Sequence, residues 1–256
     1  MTTKKIIAGN WKMNPVSSKE ALALYLGIKK NSSRLRQTTA VVFPPAVFLA
    51  TLRDKGMSVK LDLGAQNMSA EEAGAFTGQI SPLMLKNIGA KWVIIGHSEA
   101  RASGETDADL NAKILGALKN GFKIILCIGE KVRDAQGKYL AVLQNQLAKA
   151  LENFPAKKIS QLVIAYEPVW AIGKEATGVE TPDGFLQNSI VIKKTLSSIF
   201  NPKSAKAVSI LYGGSVGVKN AESFLVTGQA DGLLVGRESL DATSFGEILK
   251  IADKLR

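Results

Sequence analysis

Eight short apolar runs recur along the chain and limit its fold more than any other feature of the sequence. Most of the runs are continuous rather than alternating in hydrophobicity, as expected for parallel β-strands that are covered on both faces. Segments with the spacing of amphipathic helices lie between them. In chain order, the runs are KIIAG, AVVFP, KLDLGA, KWVIIG, FKIILCIG, QLVIAYE, AVSILYGG and ADGLLVG. This alternation of strand and helix predicts an α/β protein.

The clearest of the predicted helices lies within GETDADLNAKILGALKNG. Four of its residues form one apolar face, and Gly121 stands where a helix stop is expected. The four are Leu110, Ile114, Ala117 and Leu118. Two further helices are predicted from their starts. Ser17 precedes Glu20 with the spacing of a capping box, and Thr181 is the predicted N-cap of a helix with Pro182 in its first turn.

The number and spacing of these units favour one architecture. Eight strand-helix units, roughly 30 residues apart, match the length and order of a (β/α)8 barrel. No linker rich in Pro, Gly or Ser divides the sequence, so residues 1–256 are predicted to form a single domain. A doubly wound open sheet is the alternative. It requires edge strands, and none of the eight runs is distinctly more polar than the others.

Composition narrows the class of protein. The net charge of +11 favours anionic ligands, but the lysines are scattered, so no nucleic-acid partner is predicted. The apolar part of the N-terminal segment is too short for a signal peptide, and no run approaches the roughly 18 apolar residues of a membrane span. We therefore expect a soluble, cytoplasmic protein without a membrane partner. The single cysteine, Cys127, forms no internal disulfide and is expected in the core.

In a barrel of this kind, functional groups come from the carboxyl ends of the strands and the loops after them. Glycine-rich turns follow the last two strands, at residues 213–215 and at Gly236, and such turns present backbone N–H groups to a phosphate. The other candidates are polar side chains that directly follow an apolar run. They are Asn10 and Lys12 after the first run, His97 and Glu99 after the fourth, and Glu167 within the end of the sixth.

These side chains suit proton transfer beside a carbonyl group in a small phosphate ester. Glu167, which Pro168 keeps at the tip of its strand, could remove the proton. His97, kept neutral by a helix that starts just after it, could donate a hydrogen bond to the carbonyl oxygen, while Lys12 supplies positive charge. A purely structural alternative makes Lys12 and Glu99 a rim ion pair, Glu167 a solvated loop residue and the lone histidine a structural group.

Several motifs closely resemble those of the triosephosphate isomerase family, from the first strand to the last. They are NWKMN, GAQNMS, GAFTGQIS, IIGHSE, CIGE, AYEPVWAIG, YGGSV and LLVG. The resemblance implies a TIM barrel that interconverts dihydroxyacetone phosphate and D-glyceraldehyde 3-phosphate in glycolysis and gluconeogenesis, without cofactor or metal. It implies that Glu167 is the base, His97 the neutral electrophile and Lys12 the cation. Asn10 would position these groups, and Glu99 would be an auxiliary partner of Lys12.

The resemblance also implies a lid, a phosphate site and a homodimer. The segment after Glu167 would be the lid, with its first hinge at Pro168, Val169 and Trp170, and with Trp170 near Glu130. Tyr212 would latch the closed lid. The phosphate would be bound by Gly173, Ser215, Gly236 and Arg237. In the dimer, the loop that holds Thr77 would insert beside the active site of the partner.

Four departures from the family pattern bear on these expectations. The stretch KEATGVETP is two residues longer than the family's usual lid, so we expect a lid with changed closing behaviour. Ala100 stands at a usual arginine and Gln79 at a usual glutamate, which removes two charges. Arg237 replaces a usual glycine, where its backbone could be strained and its guanidinium could attract phosphate.

Two other functions are compatible with the same residues. An aldolase-type lyase would use Lys12 to form a Schiff base, but a lysine between Asn10 and Asn14, close to Glu99, is poorly suited to that chemistry. A barrel that binds phosphate without turnover would explain the departures in the lid, at Ala100 and at Arg237. The retention of Asn10, Lys12, His97 and Glu167 argues against this second alternative.

Overall fold

The computed structural model describes residues 4–54, 58–173 and 175–255. Eight parallel strands form a closed barrel in the order β1 to β8. The strands are β1 Lys5–Asn10, β2 Thr38–Phe43, β3 Leu61–Ala65, β4 Trp92–Ile95, β5 Lys123–Ile128, β6 Leu162–Tyr166, β7 Ser209–Tyr212 and β8 Gly232–Val235. The predicted (β/α)8 barrel is confirmed. The open-sheet alternative is wrong, because β1 pairs with β8 from Ile6↔Gly232 to Gly9↔Val235 and closes the sheet.

Helices follow each strand and cover the outside of the barrel. They are α1 Ser18–Ser32, α2 Ala46–Asp54, α3 Pro82–Ile88, α4 Ser98–Ala102, α5 Asp107–Lys119, α6 Tyr139–Ala150, α7 Pro182–Ile199, α8 Pro202–Ala207, α9 Val218–Val226 and α10 Ala242–Lys254. Short 3-10 helices span Ala156–Gln161, Val169–Ala171 and Arg237–Leu240. Within the described ranges, no helix has the length and apolar character needed to cross a membrane.

The helix signals in the sequence act as predicted. Thr181 caps α7 by accepting a hydrogen bond from the Gly184 N–H at 3.0 Å, and Pro182 is its first residue. Ser17 caps α1 through the Glu20 N–H, which is one of the two hydrogen bonds of the predicted capping box. Gly121 adopts a left-handed conformation, with φ of 79°, directly after the C-cap of α5.

Strand residues alternate between two apolar layers. One layer fills the barrel interior, and the other lies between the strands and the surrounding helices. This arrangement explains why the strands read as continuous apolar runs, since both faces are buried. Cys127 belongs to the interior layer, where burial and then the nearby Glu167 carboxylate raise the pKa of its thiol. The thiol is therefore a core group, as expected.

Candidate active site

A cavity of about 730 Å³ opens at the carboxyl ends of the strands. Eight of the predicted site residues contribute to its lining: Asn10, Lys12, His97, Glu167, Gly173, Ser215, Gly236 and Arg237. The remaining predicted residues are not part of this lining: Glu99, Glu130, Pro168, Val169, Trp170, Tyr212 and Thr77. Within the described part of the chain, no three His, Cys, Asp or Glu side chains are arranged to hold a metal ion.

Lys12 is held at the cavity in an unusual backbone conformation. Its φ of 53° lies in the left-handed region, which costs a residue with a side chain about 1–2 kcal/mol. Two neighbours hold it there: Asn10 Oδ1 accepts from the Lys12 N–H at 3.0 Å, and Gln66 Nε2 donates to the Lys12 carbonyl at 2.7 Å. Its ammonium group lies 2.6 Å from Glu99 Oε1. Sequence reasoning assigned no role to Gln66, although it lies in the quoted motif GAQNMS.

Glu167 follows β6 and is buried, with only 2% of its surface exposed. Its Oε2 accepts a hydrogen bond from the Ser98 N–H at 2.8 Å. Its Oε1 has no hydrogen-bond partner and lies 3.4 Å from Nε2 of His97. Glu167 is therefore not a solvated loop residue, and a buried carboxylate oxygen with no donor is poised to accept a proton.

His97 is the N-cap residue of α4, directly after β4. Its Nδ1 accepts a hydrogen bond from the Glu99 N–H at 3.3 Å, which requires a lone pair on that nitrogen. The ring proton is consequently on Nε2, the atom that faces Glu167. A neutral imidazole in this tautomer can donate a hydrogen bond into the cavity.

Two glycines allow the chain to pack closely around Glu167. A Cβ on Gly129 would lie 1.7 Å from the Glu167 carbonyl oxygen, and a Cβ on Gly213 would lie 3.0 Å from Glu167 Cγ. Real Cβ atoms do not approach backbone so closely, so Gly129 is required at the end of β5. The Gly213 N–H also donates to the Tyr166 carbonyl at 2.8 Å, which fixes the turn after β7 beside the base.

The turns after β7 and β8 form the other end of the cavity. Ser215 Oγ donates to the Ala171 carbonyl at 3.1 Å and so contacts the segment after Glu167. Arg237 begins a 3-10 helix, and its side chain is exposed. The described residues other than glycine with positive φ are Lys12, Asn153 and Gln229, so the backbone strain considered for Arg237 does not occur.

Residues 168–180, which we call the lid segment, connect β6 to α7; its description omits residue 174. At its start, the Trp170 indole N–H donates to Glu130 Oε1 at 2.9 Å, the proximity expected from the sequence. The Thr177 N–H donates to the Trp170 carbonyl at 2.8 Å, which folds the segment back on itself. Gly173 has φ of 80° and lies at the cavity.

Tyr212 is buried at the end of β7. Its ring stacks on Phe224, with ring centroids 3.6 Å apart, and meets the edge of Phe185. Burial and then the nearby Glu180 carboxylate raise the pKa of its hydroxyl, which lies against the backbone of Gly214. Among the described residues, no hydrogen bond joins this hydroxyl to the lid segment, and the latch expected from Tyr212 stays a prediction.

A polar cluster that the sequence did not predict lies where the lid segment begins and ends. We define it as Glu130, Arg133, Tyr166, Glu180 and Asn188. Tyr166 Oη donates to Glu130 Oε1 at 2.8 Å and accepts from Asn188 Nδ2 at 3.1 Å. Burial raises the pKa of the Tyr166 hydroxyl and of the Glu180 carboxyl. Only Glu130 of these five had an assigned role, because the others carry no spacing signal that would bring them together.

Arg101, the arginine that follows Ala100, is held by an ion pair and two hydrogen bonds. Arg101 forms an ion pair with Asp107 at 2.7 Å and donates to the Gly96 carbonyl at 2.9 Å and the Cys127 carbonyl at 3.2 Å. It therefore ties the turn after β4 to β5 and α5. Nothing in the structure explains Ala100 at the preceding position.

Thr77 lies on an exposed loop between β3 and α3 and is not among the residues that line the cavity. The Ser69 N–H donates to the Ile80 carbonyl at 2.8 Å, which closes the base of the loop. Large apolar side chains are exposed on this loop and on neighbouring segments that follow β1, β2 and β3. They are Met13, Val16, Val47, Phe76, Leu83 and Met84.

Comparisons with known proteins agree with this architecture. The family model described as triosephosphate isomerase matches residues 5–252. A triosephosphate isomerase of Thermoanaerobacter pseudethanolicus is 41% identical over 254 residues, covering 96% of this chain and 98% of that protein. That of Lawsonia intracellularis is 41% identical over 251 residues, covering 96% and 97%. That of Lactiplantibacillus plantarum is 40% identical over 246 residues, covering 95% and 96%. The chain belongs to the triosephosphate isomerase family.

Proposed function

We propose that the protein is a triosephosphate isomerase, an aldose-ketose isomerase that interconverts dihydroxyacetone phosphate and D-glyceraldehyde 3-phosphate. One observation carries the proposal. The unpartnered Oε1 of buried Glu167 and the Nε2 of His97 lie 3.4 Å apart at one cavity, which Lys12 also lines. A base, a hydrogen-bond donor and a cation are the three groups that proton transfer beside a carbonyl requires.

In the forward reaction, Glu167 removes the proton from the carbon beside the carbonyl. The electron pair of that C–H bond forms the C=C bond of an enediolate, and the carbonyl electrons move to oxygen. The Nε2–H of His97 and the ammonium of Lys12 stabilise the charge that develops there. After a proton moves between the two oxygens, Glu167 returns its proton to the other carbon. No electrons leave the substrate, so the reaction is a balanced isomerisation.

The phosphate group of the substrate is assigned to the far end of the cavity. The N–H of Gly173 and the turns that hold Ser215 and Gly236 line this end, and backbone N–H groups at such turns favour anions. Arg237 adds an exposed positive charge in place of the family's usual glycine. Its guanidinium is expected to strengthen attraction for phosphate, so that Arg237→Gly raises the substrate KM.

The lid segment is assigned the role of closing over bound substrate, with its first hinge at Pro168, Val169 and Trp170. Exclusion of water strengthens the electrostatic stabilisation of the enediolate and protects it from losing phosphate. Ser215 already contacts the segment through the Ala171 carbonyl at 3.1 Å. Tyr212 is assigned as the latch of the closed form, which requires the lid segment to move toward its hydroxyl.

A homodimer and a cytoplasmic location belong to the same proposal. The exposed apolar side chains after β1, β2 and β3 lie on consecutive parts of the barrel, where a second copy could cover them. The loop holding Thr77 would then reach the partner's cavity. The mass in solution, measured by sedimentation, tests the dimer. Phosphorylated trioses are charged and do not cross membranes, so we infer that the enzyme works in the cytoplasm, without nucleic-acid or membrane partners.

The deciding experiment is a coupled assay with D-glyceraldehyde 3-phosphate, comparing wild type, Glu167→Gln and His97→Gln. We expect rapid turnover by wild type and a loss of about 100- to 10,000-fold in kcat for Glu167→Gln, the usual contribution of a general base. Glu247→Gln is the matched control, because it removes one carboxylate from an exposed ion pair on α10. Wild-type turnover that is indifferent to Glu167 would overturn the mechanism.

The two alternatives are disfavoured by particular contacts. The ammonium of Lys12 forms an ion pair with a carboxylate oxygen of Glu99 at 2.6 Å, whereas a Schiff base requires a neutral amine that can attack a carbonyl carbon. Trapping with borohydride in the presence of substrate would reveal such a Schiff base. A barrel that only binds phosphate would bind phosphoglycolate but give no turnover in the coupled assay.

A further inference from the structure

The lid segment begins and ends on the polar cluster. At its near end, Trp170 donates to Glu130 Oε1 at 2.9 Å, and the Val169 N–H donates to the Glu130 carbonyl at 3.1 Å. The guanidinium of Arg133 also lies 5.3 Å from the centre of the Trp170 ring, within the range of a cation–π contact. The near end is thereby attached to the loop after β5.

At the far end, Glu180 is the last residue before the N-cap of α7. Its Oε1 accepts from the Thr181 N–H at 3.0 Å, and its Oε2 accepts from Nη2 of Arg133 at 3.2 Å. The other terminal nitrogen of Arg133, Nη1, donates to Glu130 Oε1 at 2.9 Å. One planar guanidinium therefore contacts Glu180 at the far end of the lid segment and Glu130, which is hydrogen-bonded to the near end, a geometry that lysine could not reproduce.

The polar cluster contains more acidic than basic side chains. The groups that face Glu180 are Arg133 and Glu130 from the loop after β5, Tyr166 from β6, Asn188 from α7 and Tyr212 from β7. Among these described groups, one guanidinium serves two buried carboxylates. Removal of one negative charge at Glu180 would therefore weaken its attachment to Arg133 while leaving the pair of Arg133 with Glu130 intact.

We propose that Glu180 is a positioning residue for the isomerase reaction, which acts by holding the far end of the lid segment to its near end through Arg133. The inference rests on the lid role proposed above. It assigns a purpose to a residue in the stretch that is longer than the family's usual lid. With both ends held by one side chain, the segment closes over the cavity from a defined starting position.

Loss of the contact between Glu180 and Arg133 is expected to affect the reaction rather than the stability of the fold. If the far end is released, the lid segment closes less completely, and water reaches the enediolate more often. The isomerisation rate then falls, and more of the enediolate expels its phosphate instead of being reprotonated. In that side reaction, the negative oxygen of the enediolate forms a C=O bond and the electron pair of the C=C bond shifts toward the carbon that bears the phosphate. The C–O bond to phosphate then breaks, and its electron pair leaves with inorganic phosphate.

The test compares wild type with Glu180→Gln, using Glu247→Gln as the matched control. We expect kcat of Glu180→Gln to fall by about 10- to 100-fold, a loss typical of misplaced closing elements. Inorganic phosphate released per isomerisation should rise, while the urea midpoint of unfolding should not fall. Equal kcat and equal phosphate release in wild type and Glu180→Gln would overturn the proposal, as would a fall in kcat that merely follows a loss of folded protein.

A second pair of measurements separates this proposal from the ones on which it rests. In protein that already carries Arg133→Gln, adding Glu180→Gln should not lower kcat further, because both changes remove the same contact. If the two changes lower kcat additively, the proposal is contradicted. In protein labelled with 5-fluorotryptophan, the Trp170 resonance of wild type should shift when phosphoglycolate binds. A wild-type resonance that does not respond would refute the lid role, whereas a response identical in Glu180→Gln would refute only the role of Glu180.

Discussion

Two buried carboxylates in neighbouring regions at the same end of the barrel, Glu167 and Glu180, are hydrogen-bonded in opposite ways. At the cavity, Glu167 has one oxygen bonded to the Ser98 N–H and another with no hydrogen-bond partner. In the polar cluster, both oxygens of Glu180 accept hydrogen bonds. A buried acceptor without a hydrogen bond costs free energy, and Oε1 of Glu167 carries this cost until it accepts a proton from the substrate. The oxygens of Glu180 do not carry it, because both accept hydrogen bonds.

The two regions diverge from consecutive residues of one strand end. Tyr166 directs its hydroxyl to the polar cluster on the outer side of the barrel, and Glu167, the next residue, directs its carboxylate to the cavity. Successive side chains of a strand point to opposite faces, so one short segment serves both regions. The catalytic base and the cluster that holds the lid segment therefore lie close together, but they use different side chains.

Among the changes that test this comparison, Gly129→Ala has the largest expected effect, because it disturbs both regions at once. The new Cβ would lie 1.7 Å from the Glu167 carbonyl oxygen, and the next residue, Glu130, belongs to the polar cluster. We expect the free energy of unfolding to fall by about 1–3 kcal/mol or more, as in overpacked cores. We expect kcat to fall about 100-fold through displacement of the base.

Urea unfolding and the coupled assay measure the two effects of Gly129→Ala separately. A variant with wild-type kcat would show that β5 and β6 can separate without displacing Glu167, and would contradict the close approach as the reason for this glycine.

A smaller effect confined to the cavity is expected from Ser98→Pro. Ser98 is the first residue of α4, where proline is tolerated, and His97 with ψ of 142° already has the extended conformation that precedes proline. The change deletes the N–H that holds Glu167 Oε2 at 2.8 Å. We expect kcat to fall about 10- to 100-fold because the base loses its fixed position.

Ser98→Ala is the control for this change, since it removes the hydroxyl but keeps the backbone N–H. Steady-state kinetics on both variants distinguish the two contributions. If alanine lowers kcat as much as proline does, the hydroxyl rather than the N–H positions Glu167.

The same comparison shows what the sequence could and could not predict. The barrel was predictable because strands buried on both faces read as continuous apolar runs. Asn10, Lys12, His97 and Glu167 were predictable as candidates because polar residues at strand ends stand out after such runs. The roles of Glu167, His97 and Lys12 followed from their chemistry at strand ends, and the resemblance to a family added the role of Asn10 and the identity of the substrate.

The polar cluster carried no comparable signal. Arg133 and Glu180 lie 47 positions apart in loops whose course no periodicity describes, and their contact depends on how those loops fold. Gln66 was missed for a related reason, since its role is to hold the backbone of Lys12 rather than to offer a reactive group. Ser98 was missed because it acts through its backbone N–H, which every residue except proline possesses.

A change limited to the polar cluster, Tyr166→Phe, should separate stability from chemistry. It removes the hydroxyl that donates to Glu130 Oε1 and accepts from Arg133 and Asn188. Buried groups left without a partner cost about 1–3 kcal/mol, so we expect a loss of that size in the free energy of unfolding. Because Glu167 keeps its contacts, the change in kcat should be smaller than that of Ser98→Pro.

Urea unfolding of Tyr166→Phe beside Tyr25→Phe provides the comparison, since the Tyr25 hydroxyl is buried without a hydrogen-bond partner. Equal stability losses in the two variants would contradict a special role for the hydroxyl of Tyr166.

The smallest expected effect is a pH dependence of stability that originates at Glu180. Folding raises the pKa of this carboxyl above 4.5, chiefly through burial, so the folded state holds its proton more tightly than the unfolded chain. The stability from that proton is fully present below pH 4.5 and is lost as pH rises through the raised pKa. Glutamine at this position cannot lose a proton and escapes that loss.

We therefore expect the stability of Glu180→Gln relative to wild type to increase as pH rises from 4.5 toward neutrality. Urea unfolding at a series of pH values measures the trend, and Glu247→Gln on exposed α10 should show none of it. A relative stability that declines with rising pH would mean that the attraction of Arg133 outweighs burial. In that case the ion pair of Glu180 with Arg133 would stabilise the fold as well as hold the lid segment. Glu180 and Glu167 would then differ in function, but burial of Glu180 would not be what determines its contribution to stability.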